Sequence, residues 1–214
     1  MATVTRLFDT HTQALEAVSA LEAAGFDHDK ISLISNNADN WHEGHRHGDK
    51  ADRKLGDLNG DGENDIAEGA GKGAATGGVL GAGAGVLAGL GMLAIPGLGP
   101  VVAAGWLAST AVAAVAGAAV GGTAGGLLGA LKEAGHSEEE AHVYAEGVRR
   151  GGTLVSVKAD ESERARIETI LNDRRGFDSH SRGVAYREAG WSSFDPAAQP
   201  WTAEQIEQER ARYR

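Results

Sequence analysis

Apolar and polar residues alternate over Thr3-Val4-Thr5-Arg6-Leu7-Phe8, and a period of two predicts a strand there. Thr10 and Gln13 follow at capping-box spacing, where the Thr10 hydroxyl accepts a backbone N–H at a helix start. Leu15, Val18 and Leu21 keep the spacing of one helix face, and Gly25 predicts a left-handed stop. Ile31, Leu33 and Ile34 mark a second strand. The same order returns near the other end. Thr153-Leu154-Val155-Ser156-Val157 reads as a strand and Asp160 with Glu163 as a capping pair. Ile167, Ile170 and Leu171 then form a helix face, and Gly176 is the stop. Gly25-Phe26-Asp27 and Gly176-Phe177-Asp178 match. The pattern predicts one β-α-β unit used twice, and two such units side by side make a ferredoxin-like split β-α-β sheet of the α+β class. An extra helix, Ser137 to Arg150, precedes the second unit. Ser137 and Glu140 cap it, and Ala141, Tyr144, Ala145 and Val148 form its apolar face.

Between the units the period changes to four. Gly69, Gly73, Gly77, Gly81, Gly85 and Gly89 are evenly spaced, as are Gly105, Ser109, Ala113, Gly117, Gly121, Gly125 and Gly129. Residues i and i+4 share a helix face, so each stretch predicts a helix with a stripe almost free of side chains. Such stripes let two backbones approach closely. Each interior glycine costs a helix about 0.5–1 kcal/mol against alanine, so close packing must stabilise these helices. Ile95-Pro96-Gly97-Leu98-Gly99-Pro100 separates the stripes, and Pro96, Gly97, Gly99 and Pro100 predict a turn. The expectation is an antiparallel Gly/Ala-rich helical hairpin, with arms of about 66–94 and 101–133.

Composition divides the chain of 214 residues into five parts. They are the first β-α-β half (1–36), an acidic and His-containing linker (37–68), the glycine-zipper hairpin (69–133), the helix with the second half (134–188), and an aromatic tail with a C-terminal helix (189–214). The globular halves are each too short to bury a sizeable core alone, so they are expected to fold together. From Gly73 to Leu131 there is no Asp, Glu, Lys, Arg or His, with Lys72 and Lys132 flanking on the same side. Each arm exceeds the roughly 20 residues that span a bilayer. Two placements remain open: a hairpin in the inner membrane with both chain ends cytoplasmic, or one buried in a soluble homo-oligomer. No basic and apolar leader begins the chain, so secretion is not expected. A net charge of −10 excludes a nucleic-acid binder held by phosphate contacts, and the lack of cysteine excludes disulfides and thiolate zinc sites.

The linker holds a cation-loop pattern. Asp57-Leu58-Asn59-Gly60-Asp61-Gly62-Glu63-Asn64-Asp65-Ile66-Ala67-Glu68 satisfies D-x-[DN]-x-[DN]-G-x5-E. Calcium takes about six to eight oxygens. Asp57, Asn59 and Asp61 would supply side-chain oxygens, Glu63 its carbonyl, Asp65 a direct or water-mediated contact and Glu68 two oxygens. Asn64 departs from the aliphatic residue usual at that place, and an acidic linker is the alternative. His42, His45 and His47 form a short histidine tract, read either as a transition-metal ligand set or as solvated linker. No nucleophile elbow, zinc-protease helix or phosphate-binding loop occurs, so no enzyme is expected.

Trp191, Phe194 and Trp201 lie in a proline-containing tail before a helix capped by Thr202 and Gln205. The tail straps either onto its own domain or onto a neighbouring subunit. The order of parts is now recognisable. Leu7-Phe8-Asp9, Ala24-Gly25-Phe26, the Ile95-Pro96-Gly97-Leu98-Gly99-Pro100 turn, Glu138-Glu139-Glu140-Ala141 and Arg149-Arg150-Gly151-Gly152-Thr153-Leu154-Val155-Ser156-Val157 together resemble the bacterial general stress protein domain, also called the heat-induced stress protein domain, with its glycine-zipper insert. The resemblance covers roughly 3–36 and 69–185. It implies an accessory stress-response protein without known catalysis, and the glycine stripes add the expectation that it assembles with itself, or associates with the inner membrane, through the hairpin. A Ca²⁺-responsive or small-ligand-binding regulatory module is the other class.

Overall fold

A computed structural model describes residues 2–41, 91–111 and 126–212. The fold is mixed α/β around a five-stranded antiparallel sheet. Its strands are β1 (Ala2–Phe8), β2 (Ile31–Asn36), β3 (Gly91–Ile95), β4 (Gly99–Ala104) and β5 (Thr153–Ala159). They lie in the order β1-β5-β2-β4-β3. β5 sits between β1 and β2 and runs antiparallel to both, opposing Val4 to Val157 on one side and Leu33 to Val155 on the other. β1 and β2 therefore point the same way, joined by α1 (His11–Ala23).

Both faces of the sheet are covered, which is why β2 is buried at every position. Val4, Phe8, Leu33 and Val155 face α1 and α4 (Arg164–Asp173), whose Leu21, Ile167 and Leu171 complete that core. Leu7, Ile34 and Leu154 turn to the opposite face. There they meet α2 (Leu127–Glu133), α3 (Glu138–Arg149), a helical segment over 106–111, and the tail.

The helix starts follow their capping residues. Thr10 accepts from Gln13 N, and full capping boxes form at Ser137/Glu140 and at Thr202/Gln205, the latter opening α6 (Ala203–Ala211). Asp160 and Glu163 form half a box. Glu163 reaches back to Asp160 N at 3.1 Å, and α4 begins only after Glu163. Gly25 takes φ +89° as a left-handed stop requires. Gly176 does not. Arg175 carries the positive φ of 63°, and Gly176 is needed for space, since a Cβ there would lie 2.8 Å from Leu171 O and 2.9 Å from Arg6 Cβ.

Two expectations are corrected. The period-four pattern carries the helical arms to Ala94 and from Val101, but 91–95 and 99–104 are paired strands of the sheet. Pro96 and Gly97 do lie in a turn, over 96–98, but it closes a β-hairpin, and Gly99 and Pro100 are the first residues of β4, opposing Ile95 and Ala94. Gly97 and Gly99 take φ of 76° and 80°, and β-branched Val101 and Val102 suit the strand that pairs with β2. The second arm is further interrupted by Gly105 and Gly126, whose φ of 83° and 80° leave the helical region. The charge-free stretch thus supplies core residues: Leu98, Val101, Val102 and Leu107 are fully buried. No helix among the described residues is long and apolar enough to cross a membrane. The second correction concerns the repeated unit. Its last strand is reduced to one bridge, Leu7 to Phe177, and the chain turns at once into α5 (Ser179–Glu188).

Candidate functional site

A cavity of about 610 Å³ opens beside β1, beyond that single bridge. The outer edge of Ala2 to Arg6 forms one wall, the start of α3 overhangs one side and α4 the other, and the first turn of α5 closes the end.

A chain of hydrogen bonds runs inward from it. Thr5 is buried on the α3 side of the sheet, and its Oγ1 lies 2.8 Å from His136 Nε2 and 3.0 Å from Ser156 Oγ. The second bond follows from register, because Thr5 opposes Ser156 directly across the ladder. Tyr144 OH donates to Thr5 O at 3.0 Å, and Arg6 Nη1 donates to the same oxygen at 2.9 Å. His136 Nδ1 stands 3.9 Å from Glu140 Oε2, one helical turn on. Glu140 accepts from Ser137 N at 2.9 Å and from the Ser179 hydroxyl at 3.3 Å, tying α3 to α5.

The protonation states follow from burial. Burial pulls the His136 imidazole below its ordinary range, opposed by the Glu140 charge. The Tyr144 phenol is pushed up to about 12 by burial. Burial raises the Glu140 carboxyl, but the bonds from Ser137 outweigh it and hold the group below the usual carboxylate range. A neutral imidazole, a neutral phenol and an ionised carboxylate therefore line the α3 side. On the α4 side Arg6 Nε bonds Asn172 Oδ1 at 2.9 Å and Arg164 Nε bonds Glu168 at 3.1 Å. The groups can hold a polar chain or small polar ligand. The hydroxyl bonded to the imidazole, that of Thr5, is itself buried.

Across the domain a second cluster fastens the tail. Glu146 is wholly buried and takes bonds from Arg149 and Arg150, and Arg150 bridges to Glu209 of α6 at 2.6 Å. Arg210 joins Asp39 at 2.8 Å and Gly151 O at 2.9 Å. Ile206 packs on Gly151, where a Cβ would come within 2.2 Å of Ile206 Cγ2. Phe194 is buried over the Pro-Gly turn, and Arg150 lies over the Trp201 ring. The tail therefore straps its own domain.

The residues singled out from the sequence fall elsewhere. Asp57, Asn59, Asp61, Glu63, Asp65 and Glu68 lie outside the described residues, as do His42, His45 and His47. So do Gly73, Gly77, Gly81, Gly85, Gly89, Gly117, Gly121 and Gly125, while Gly129 lies in α2. Among the described residues no group of three or more His, Asp or Glu could hold a metal ion. The cavity escapes sequence reasoning because its parts are distant along the chain: Thr5 and His136 are 131 residues apart. The one local signal is His136 four residues before Glu140, at the mouth of a helix. No family model, no curated protein and no solved structure matches the chain.

Proposed function

We propose that this chain is a non-enzymatic accessory protein of the bacterial stress response, in which a ferredoxin-like domain presents a glycine-zipper segment for self-assembly or for association with the cytoplasmic face of the inner membrane. The ferredoxin-like reading draws on β5 lying between the two parallel strands of the first unit, with Phe177 beside β1 on the far side. The assembly reading draws on one observation above others. The described domain closes both of its apolar faces with its own helices and tail, and among its large apolar residues only Met92 and Val184 are exposed. The period-four glycines that remain in the sequence are then free to serve packing between copies or against lipid.

The test is the size and membrane partition of the full chain against Gly81→Leu with Gly121→Leu, measured by sedimentation and cell fractionation with and without detergent. The wild type is expected to sediment as an oligomer or with the membrane, and the double variant to lose that state while its circular dichroism persists. A double variant that keeps both size and partition overturns the reading.

A further inference from the structure

β5 pairs with β1 along its whole length, from Ala2 to Phe8. On the other side the backbone pairing is confined to Leu7 and Phe177, with bonds of 2.9 and 2.8 Å. In an antiparallel ladder each residue's N–H and C=O point to one side, and the side alternates along the strand. Leu7 turns its groups outward to Phe177, so Thr5 and Thr3 turn theirs outward as well. The Thr5 carbonyl is taken by Tyr144 and Arg6. Among the described residues no hydrogen bond reaches the Thr5 N–H, the Thr3 N–H or the Thr3 carbonyl. An open strand edge of this kind is a template for another strand. Here it lies at the back of the cavity, between α3 and α4, in the place that a last strand of the second unit would fill.

We propose that this slot binds an extended, cationic peptide segment of a partner protein, laid along the edge of β1. The open groups take a strand of either direction. One residue of a parallel strand set opposite Val4 donates to the Thr3 carbonyl and accepts from the Thr5 N–H, and one residue of an antiparallel strand set opposite Thr3 bonds the Thr3 N–H and carbonyl; each leaves the Thr5 carbonyl with its side-chain donors. Two copies meeting about a two-fold axis would bring two carboxylate-lined slots together, so charge favours a foreign cationic peptide over a second copy. The open edge from Ala2 to Thr5 accommodates about 13 Å of extended chain, or roughly four residues. Charge sets the side chains. Glu140, Glu161, Glu168 and Asp178 line the slot against Arg6 and Arg164. Both arginines are already engaged with Glu168, and Glu161 is exposed and makes no ion pair among the described residues. Lysine or arginine side chains on the docked strand would meet that surplus of carboxylates.

The test uses the full chain and three fluorescent hexapeptides read by anisotropy: Lys-Val-Lys-Val-Lys-Val, the same peptide N-methylated at every residue, and its glutamate counterpart. Hydrogen exchange over residues 2–8 is followed by mass spectrometry. The lysine peptide is expected to bind saturably and to slow exchange over 2–8. N-methylation is expected to weaken it at least tenfold, and Glu161→Lys to weaken it about tenfold with the fold unchanged by circular dichroism. Absence of saturable binding by the lysine peptide overturns the proposal, as does equal binding of the N-methylated or the glutamate peptide. Protection of 2–8 that grows with protein concentration alone would assign the slot to a second copy and also overturn it. The glycine-stripe reading is untouched by any of these outcomes, since its readout is size and partition.

Discussion

The two β-α-β units share a tripeptide and part company after it. Gly25-Phe26-Asp27 leads through a short 3₁₀ turn into β2, a fully buried strand of six residues. Gly176-Phe177-Asp178 gives one bridge and then a helix. The divergence lies in the residues that follow. After Asp27 and the turn His28–Lys30 comes Ile31-Ser32-Leu33-Ile34, a run with β-branched ends that a sheet covered on both faces will accept. After Asp178 comes Ser179-His180-Ser181-Arg182-Gly183, which offers a sheet little to bury. Asp27 makes no capping bond, whereas Asp178 accepts from Ser181 N at 2.8 Å and starts α5. The same aspartate is thus a turn residue in one unit and a helix start in the other. The cost of that choice to the sheet is an open edge on β1, and the cavity is the result.

The comparison breaks first if the two last strands prove energetically alike. Leu33 is wholly buried in β2, and Leu33→Ala is expected to lose about 2–5 kcal/mol of stability. Phe177 is half-buried and packs its ring on Arg182 at 3.8 Å. Phe177→Ala is expected to lose about 1–2 kcal/mol, mostly that cation–π contact and some apolar area. Urea midpoints for the two variants against wild type decide it. A loss at Phe177 as large as that at Leu33 would mean that the second unit relies on its stub as the first does on its strand.

The stop glycines sharpen the same contrast. Gly25 sits at φ +89°, and nothing lies within 4 Å of the place a methyl group would take, so Gly25→Ala carries backbone strain alone, about 1 kcal/mol. At Gly176 a Cβ would press on the Leu171 carbonyl at 2.8 Å and on Phe8 Cζ at 3.0 Å. Gly176→Ala must therefore move α4 or β1, at about 1–3 kcal/mol. Thermal midpoints are expected to fall further for Gly176→Ala than for Gly25→Ala. The reverse order would show that φ, not space, governs both positions.

Much of the sheet is legible in the sequence because its strands carry their own periodicity. Val4 and Phe8 fall to one face and Leu7 to the other, as alternation requires, and three helix caps are readable as residue pairs. The β3–β4 hairpin is not legible. Period-four small residues run up to Gly89 before it and resume at Gly105 after it, which draws the helical reading in from both sides, and the only local strand signal is Val101-Val102. What decides that region is distant. Ser32 Oγ donates to Ala104 O at 2.7 Å and accepts from Leu107 N at 3.2 Å, fixing β4 on β2. The cavity is illegible for a related reason. Thr5 reads as an ordinary polar strand position and Tyr144 as part of a helix face, and only the fold brings His136 between them.

The smallest effect separates the two aspartates. Asp178→Ala is expected to cost about 1 kcal/mol through loss of the cap, or roughly 2–4 °C in the thermal midpoint, while Asp27→Ala costs little. The Ser181 backbone N–H bonds the Asp178 carboxylate and holds its pKa below the usual carboxylate range, with partial burial opposing. A carboxyl depressed in the folded chain stabilises it fully above the unfolded pKa of about 3.9, and that stabilisation disappears as pH falls through the folded value. The gap between wild type and Asp178→Ala should accordingly be constant from neutral pH down to about 4 and narrow below it. A gap at Asp178 that persists unchanged into strong acid would mean that the neutral carboxyl caps α5 as well as the carboxylate does, so that hydrogen-bond geometry alone, and not charge, turns the second unit from strand to helix.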